Sequence, residues 1–139
     1  MLTIDNETTR TITATVLETI CDHLCDKEVE LLFVDDEAIR TLNLEHRGKD
    51  KATDVLSFPL EATPYAPLGT IVISVDTAQK VADELGHTLE DEVALLFIHG
   101  MLHLLGMDHE VDNGEMRDQE AALIQTFHLP QSLILRTES

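Results

Sequence analysis

The chain has 139 residues, the size of one ordinary domain, and 43% of them are hydrophobic, so it can bury a core of its own. With no Trp, one Tyr and four Phe, that core must be mostly aliphatic. The net charge of -18 argues against tight, non-specific nucleic-acid binding, which depends on neutralising phosphates with Lys and Arg. The sequence contains neither a run of about 18 apolar residues nor a secretory signal, so we expect a cytoplasmic protein without a membrane partner.

The hydrophobic pattern predicts interspersed strands and helices. In chain order these are a strand at Leu2–Asp5, a helix at Thr11–Leu24, a strand at Glu28–Val34, a helix capped by Asp35 or Asp36 and a strand at Thr53–Phe58. After an irregular loop at Ala62–Leu68 come a strand at Gly69–Ser74 and helices at Asp76–Leu85, at about Leu89–Leu105 and from Asn113 or Gly114 to about Phe127. We therefore predict a single α+β domain over residues 1–139, with a small, about four-stranded mixed sheet packed against helices.

Two cysteines, Cys21 and Cys25, lie four positions apart in the first predicted helix. With His23 nearby they offer possible metal ligands, but the pattern favours two small apolar residues on one helix face. A disulfide at this spacing is awkward in a regular helix and unexpected in a reducing compartment.

Three histidines form the most informative pattern in the chain. His99 and His103 are four apart on an apolar helix, so their imidazoles lie on one face. Gly106 can end that helix with a left-handed turn, which lets His109 approach the same point. A lone histidine pair in such a helix is often only packed; the third histidine favours a metal site.

This pattern predicts one Zn²⁺ ion per chain, bound on a C-terminal-half helix and the turn that follows it. Three histidine ligands leave the fourth tetrahedral position for water or substrate, which is typical of a catalytic zinc site. Other divalent transition metals also accept three histidines.

The spacing His-x-x-x-His-x-x-Gly-x-x-His is similar to that of the metzincin proteases, in which a Glu follows the first His as general base. Here that position is Gly100. Loss of a general base costs about 10²–10⁴-fold in rate, so the sequence argues against a protease.

The segment His99–His109 resembles the motif of the YbeY family of bacterial endoribonucleases, which reads His-Gly-x-Leu-His-Leu-x-Gly-Tyr-Asp-His. Met107 stands at the Tyr position. Other blocks that resemble the family are Asn43, residues 46–50, residues 53–59, residues 68–71 and the last helix with Glu115, Met116 and Glu120. Thr70 replaces the Asp that the family usually has.

The resemblance implies metal-dependent cleavage of single-stranded RNA, in ribosomal RNA maturation and ribosome quality control. It gives catalytic roles to Arg47 and to the metal ligand His99. Arg47 would clamp a phosphate with two bonds, and Lys49 and Lys51 would bind neighbouring phosphates. The implied partners are single-stranded and ribosomal RNA, and the small ribosomal subunit or its proteins.

Positive charge supports this reading locally, because four of the nine Lys and Arg residues lie between positions 40 and 51. Such a patch on an acidic chain predicts weak, site-directed binding of a phosphate group. His46, beside Arg47, is a weaker candidate as a proton donor. His87 and His128 are expected to be surface residues.

Two other functions remain open at this point. One is a non-catalytic ribosome-assembly factor with a structural zinc, whose acidic surface docks on basic ribosomal proteins. The other is hydrolysis of a small substrate at the same metal. A small substrate needs a closed pocket, whereas an RNA strand needs an open groove with basic edges.

Overall fold

A computed structural model describes residues 1–60, 66–107 and 113–129 of the chain. The elements are β1 (Leu2–Asn6), α1 (Thr15–Leu24), β2 (Val29–Val34), α2 (Asp36–Arg47), β3 (Val55–Pro59), β4 (Gly69–Ser74), α3 (Val75–Leu85), α4 (Leu89–Leu104) and α5 (Glu115–Thr126). The predicted succession of strands and helices is confirmed; most of the predicted loop at Ala62–Leu68 lies outside the described residues. No helix in the described ranges is long and apolar enough to cross a membrane.

The largest shift of a boundary is at the start of α1, which begins at Thr15 and not at Thr11. The preceding segment forms a turn held by side chains. Asn6 donates its amide to the carbonyl of Arg10 at 2.7 Å and accepts from the backbone N–H of Thr8 at 2.9 Å. Residues 11–13 that follow are Thr, Ile and Thr, whose β-branched side chains lose freedom in a helix, so the apolar spacing at Ile12 does not extend the helix.

The four strands form one mixed sheet in the order β1-β2-β4-β3. The first three are parallel, and β3 pairs antiparallel with β4. This confirms the predicted α+β class with a four-stranded mixed sheet. Because β3 lies at an edge, Pro59 at its end costs no hydrogen bond inside the sheet.

Both faces of the sheet are covered, as the alternation along β4 requires. Ile71 and Ile73 point into the main core with α1, α3, α4 and α5, whereas Val72 points into a smaller cluster beneath α2. The edge strand β3 therefore lies between the end of α2 on one face and α4 on the other.

Helix α4 is the centre of the main core and packs against α1, α3, α5, β3 and β4. It is apolar almost all round, as expected of a fully buried helix. Thr88 caps its start by accepting a hydrogen bond from the backbone N–H of Asp91 at 3.1 Å. This buried helix carries His99 and His103.

Both cysteines are free thiols, as the sequence favoured. Cys21 is buried, and that burial, followed by the effect of neighbouring Cys25, raises the pKa of its thiol to about 11. The ring of His23 packs edge-on against Phe127, with centroids 5.5 Å apart.

The expectation that His87 is a surface residue is wrong. Its side chain is 3% exposed, and its Nε2 lies 2.9 Å from Oε1 of Glu92, which is fully buried. Gly86 ends α3 in the left-handed conformation (φ 77°), so the chain turns back and places His87 over the start of α4. A buried carboxylate needs such a partner. His128 is exposed, as expected.

Candidate functional site

A cleft of about 700 Å³ lies where the end of α2, the edge strand β3 and the second half of α4 meet. Its walls are His46 and Arg47 of α2, residues 53–59, and His99 and His103 of α4. Arg47 and the two helix-borne histidines, distant in sequence, are thus brought together.

His99 and His103 point their Nε2 atoms at one another, 3.1 Å apart. Two nitrogens bound at about 2.0–2.1 Å to one tetrahedral zinc would be roughly 3.3–3.4 Å apart. The pair therefore has the spacing to share one ion after a shift of a few tenths of an ångström. A hydrogen bond between the two rings is also compatible with this distance. Which ring nitrogens carry protons therefore decides whether a lone pair is directed at the point between the rings.

Glu120 of α5, a residue without a predicted role, sets the proton positions on His99. Its Oε1 lies 2.5 Å from Nδ1 of His99, and its side chain is only 3% exposed. A carboxylate at Nδ1 keeps a proton on that atom and leaves the lone pair of Nε2 directed at His103. This is the arrangement usual for a metal-ligating histidine, whose other nitrogen donates to a carboxylate.

A sequence signal for Glu120 did exist. It lies on the buried face of α5 with Met116, Leu123 and Ile124. Because Glu is almost never fully buried without a partner, a Glu on such a face predicts a buried hydrogen-bond donor nearby.

The third predicted ligand, His109, lies outside the described residues. In the ranges that the structure covers, no three His, Cys, Asp or Glu side chains form a group able to hold a metal. The turn that leads toward His109 is described: α4 ends at Leu104, and Gly106 follows with φ 94°. The N–H groups of Gly106 and Met107 donate to the carbonyls of His103 and Leu102, both at 3.0 Å, which closes the helix as a glycine C-cap does.

Arg47 is the last residue of α2, is exposed, and makes no ion pair with the residues described. The helix ends there because Gly48 adopts the left-handed conformation, with φ 70°. The other predicted cations lie elsewhere: Lys49 and Lys51 are exposed on the following loop and are not part of the cleft wall. Their proposed contact with RNA stays a prediction.

Two polar contacts hold the loop that follows α2. Asn43, 1% exposed, donates its side-chain amide to the carbonyl of Lys51 at 2.9 Å. Arg40 and Asp50 form an exposed ion pair at 2.7 Å, and the hydrogen bond from Arg40 lowers the pKa of the Asp50 carboxyl. The predicted basic patch is thus partly neutralised, and among the described residues Arg47 is the Lys or Arg that lines the cleft.

Gly100 has a packing role. A Cβ at this position would lie 3.0 Å from Cγ2 of Ile71 and 3.2 Å from Oγ of Ser57. Helix α4 approaches the sheet so closely there that a side chain would push Ile71 and Ser57 back by a few tenths of an ångström. Close packing against the sheet therefore favours glycine at the position where the proteases have their general base.

The arrangement of sheet and helices is shared with a solved structure. The solution structure of TM1509 from Thermotoga maritima matches with a TM-score of 0.63 and 29% identity, over 91% of this chain and 89% of that chain. Both chains therefore belong to one class of small α+β proteins.

The family follows from sequence comparison. The family model described as Endoribonuclease YbeY matches residues 2–128. Proteins named Endoribonuclease YbeY are 56% identical in Nautilia profundicola and 55% identical in Helicobacter pylori, over 99% of both chains in each case. Another with that name, from Campylobacter jejuni, is 59% identical over 87% of this chain and 90% of its own. The chain belongs to the YbeY family.

Proposed function

We propose that this protein is a zinc-dependent endoribonuclease that cleaves single-stranded RNA. One zinc ion per chain would be held by His99, His103 and His109, and Arg47 would be the catalytic residue that holds the phosphate. The observation that carries the proposal is that Arg47 and the histidine pair line one cleft from different sides of the sheet edge.

The residues of the chain divide the work by their chemistry. Arg47 has a planar, permanently charged guanidinium that can donate two parallel hydrogen bonds to a phosphate and stabilise charge that develops in the transition state. Glu120 holds the imidazole of His99 in the tautomer that a metal ligand needs. When bound, zinc supplies a Lewis acid for a phosphoryl oxygen and lowers the pKa of a water molecule.

An RNA strand suits the rim of this cleft better than a small enclosed substrate does. Three residues of its wall, His46, Arg47 and Pro59, are exposed, so the cleft opens to solvent along α2 and the end of β3. The exposed Lys49 and Lys51 lie just beyond Arg47 in the chain, where they would bind neighbouring phosphates. This favours RNA over the small-substrate hydrolase.

The biological substrate we propose is ribosomal RNA, in its maturation and in ribosome quality control in the cytoplasm, with the small ribosomal subunit or its proteins as partner. Membership of the YbeY family supports this, together with the acidic surface expected from a net charge of -18. Incubation with small subunits that carry precursor RNA tests it: we expect trimmed RNA and co-sedimentation, and neither occurring would contradict the proposal.

The activity itself is tested by cleavage of a single-stranded RNA by the zinc-loaded protein, next to His103→Ala, Arg47→Ala and the exposed control His128→Ala, all prepared identically. We expect the first two variants to lose cleavage and the control to retain it. Equal cleavage by all four proteins would indicate a contaminating ribonuclease.

The net charge of -18 also favours the second candidate, a non-catalytic assembly factor whose acidic surface docks on basic ribosomal proteins. The two functions differ at Arg47, whose positive charge catalysis needs and an acidic docking surface does not. Absence of cleavage by the wild type, together with unchanged subunit binding by Arg47→Ala, would support the assembly factor.

A further inference from the structure

An aromatic pair forms part of the cleft wall beside Arg47. His46 in the last turn of α2 and Phe58 on β3 have ring centroids 4.9 Å apart, with their planes tilted by 57°. Both line the same cleft as His99 and His103. Aromatic residues are scarce in this chain, with four Phe, one Tyr and no Trp, so a pair placed here calls for an explanation.

Packing explains only one of the two rings. Phe58 is half-buried and packs against the small cluster that includes Leu56 and Val72, so burial of apolar surface accounts for its inner side. His46 is exposed, so core burial does not account for its position. His46 is also part of the cleft wall, so its exposed ring can be reached from the cleft.

We propose that His46 and Phe58 form a nucleobase-stacking subsite, which binds a base of single-stranded RNA while Arg47 binds an adjoining phosphate. That the strand is RNA rests on the proposed function. Unpaired bases are commonly bound on the rings of Phe, Tyr, Trp or His, and such stacking tolerates any sequence because every base has a π face.

The charge of the chain gives such a subsite a clear role in affinity. With a net charge of -18, long-range attraction of a polyanion is weak, so binding must come from local contacts. Arg47 supplies a contact that salt weakens. Stacking on His46 and Phe58 supplies one that does not depend on counterion release and therefore persists as the salt concentration rises.

The test uses the zinc-loaded full chain and two fluorescent probes, hexa-adenylate RNA and a hexamer with the same phosphates but abasic sugars. Binding is followed by anisotropy at low and high salt, with the intact length of the probe verified afterwards. The variants are His46→Ala, His46→Tyr and Phe58→Leu, which keeps apolar volume in the small cluster. The matched control is His23→Ala, which removes a histidine from the other His–Phe pair, outside the cleft.

We expect His46→Ala and Phe58→Leu to weaken binding of hexa-adenylate about 5- to 150-fold, as loss of one stacked base does, and to leave binding of the abasic probe unchanged. His46→Tyr should restore affinity, and His23→Ala should have no effect. The loss should be the same at both salt concentrations. Equal losses on the two probes, no loss on either, or no preference of the wild type for the probe with bases would each overturn the proposal.

Failure of this inference is distinguishable from failure of the proposed function. A wild type that cleaves RNA, with unchanged cleavage by His46→Ala at low RNA concentration, would refute the stacking subsite alone. A wild type that cleaves nothing, but binds bases through His46, would refute the ribonuclease and leave the stacking subsite standing.

Discussion

Glu120→Gln is the substitution that tests most directly how the chain prepares His99. Glutamine keeps an oxygen that can accept from Nδ1 of His99, and it has nearly the same size, so α5 should stay packed. What is lost is the negative charge, held 2.5 Å from the ring nitrogen on a side chain that is only 3% exposed. We expect weaker zinc binding by a folded protein.

The magnitude follows from the kind of hydrogen bond that is replaced. A buried bond to a charged group contributes about 1.5–3 kcal/mol, and a neutral one about 0.5–1.5 kcal/mol. The difference of roughly 1–1.5 kcal/mol corresponds to a loss of about 5- to 13-fold in affinity. This is close to the lower end of the roughly 10- to 100-fold loss usual for removing the hydrogen-bond partner of a metal-ligating histidine.

Zinc affinity is measured by competition with a chromophoric chelator, and folding by circular dichroism. Thermal unfolding with and without zinc gives an independent value, since a ligand that binds only the folded state stabilises it in proportion to the logarithm of its affinity. Both measurements should give the same ratio between the wild type and Glu120→Gln.

The matched control is Glu92→Gln, which alters the other buried Glu–His pair on α4, about 10 Å along the helix from His99. It should lower the free energy of unfolding without changing zinc affinity. Equal zinc affinity of the wild type and Glu120→Gln would refute the role of Glu120. An equal loss in both variants would mean that general loosening of α4, and not the bond to His99, weakens the site.

Three other predictions concern separate parts of the molecule. Arg47→Lys keeps the charge but not the two-pronged bond, so RNA cleavage should fall by about 10- to 100-fold, and an unchanged rate would remove the guanidinium geometry from the mechanism. Because burial raises the pKa of Cys21 to about 11, a thiol reagent at neutral pH should label half-buried Cys25 first and Cys21 only after unfolding; equal labelling rates would contradict this. Gly69→Ala would place a Cβ 2.5 Å from the carbonyl oxygen of Phe58, so urea titration should show a loss of about 1–3 kcal/mol in the free energy of unfolding, and unchanged stability would show that β3 yields freely.

The fold could be predicted largely from local patterns. Strand β4 was predicted with its observed ends because a short apolar run, Ile71–Ile73, lies between Gly69 and Ser74. The start of α1 was misplaced because residues 11–13 are β-branched, and hydrophobic periodicity does not register their lower helix propensity. The order of the strands was not predicted, since it depends on contacts between distant segments.

The candidate site was likewise predictable only where its geometry is local in sequence. The pair His99 and His103 was predictable because both residues lie on one helix, four positions apart, where geometry follows from the spacing alone. The placement of Arg47 beside the histidines was implied only by the family resemblance. Helices α2 and α4 lie on opposite faces of the sheet, so no local pattern predicts that their ends line one cleft. The pairing of His46 with Phe58 needs the register of β3 on β4, which no local pattern contains.

The two buried glutamates are a sequence signal for buried hydrogen-bond partners. In the described part of the chain, Glu92 and Glu120 are the buried carboxylates, and each is bonded to a histidine. Each interrupts an apolar helix face, so the sequence alone predicts that each needs a partner. The sequence does not distinguish their roles, because that depends on the other nitrogen of each partner. The Nδ1 atom of His87 is buried without a hydrogen bond in the described structure, whereas the Nε2 atom of His99 faces His103 in the cleft. A metal ion can reach His99 from the cleft, whereas protein atoms enclose the free nitrogen of His87. The second pair is therefore the one that offers an imidazole lone pair to a metal.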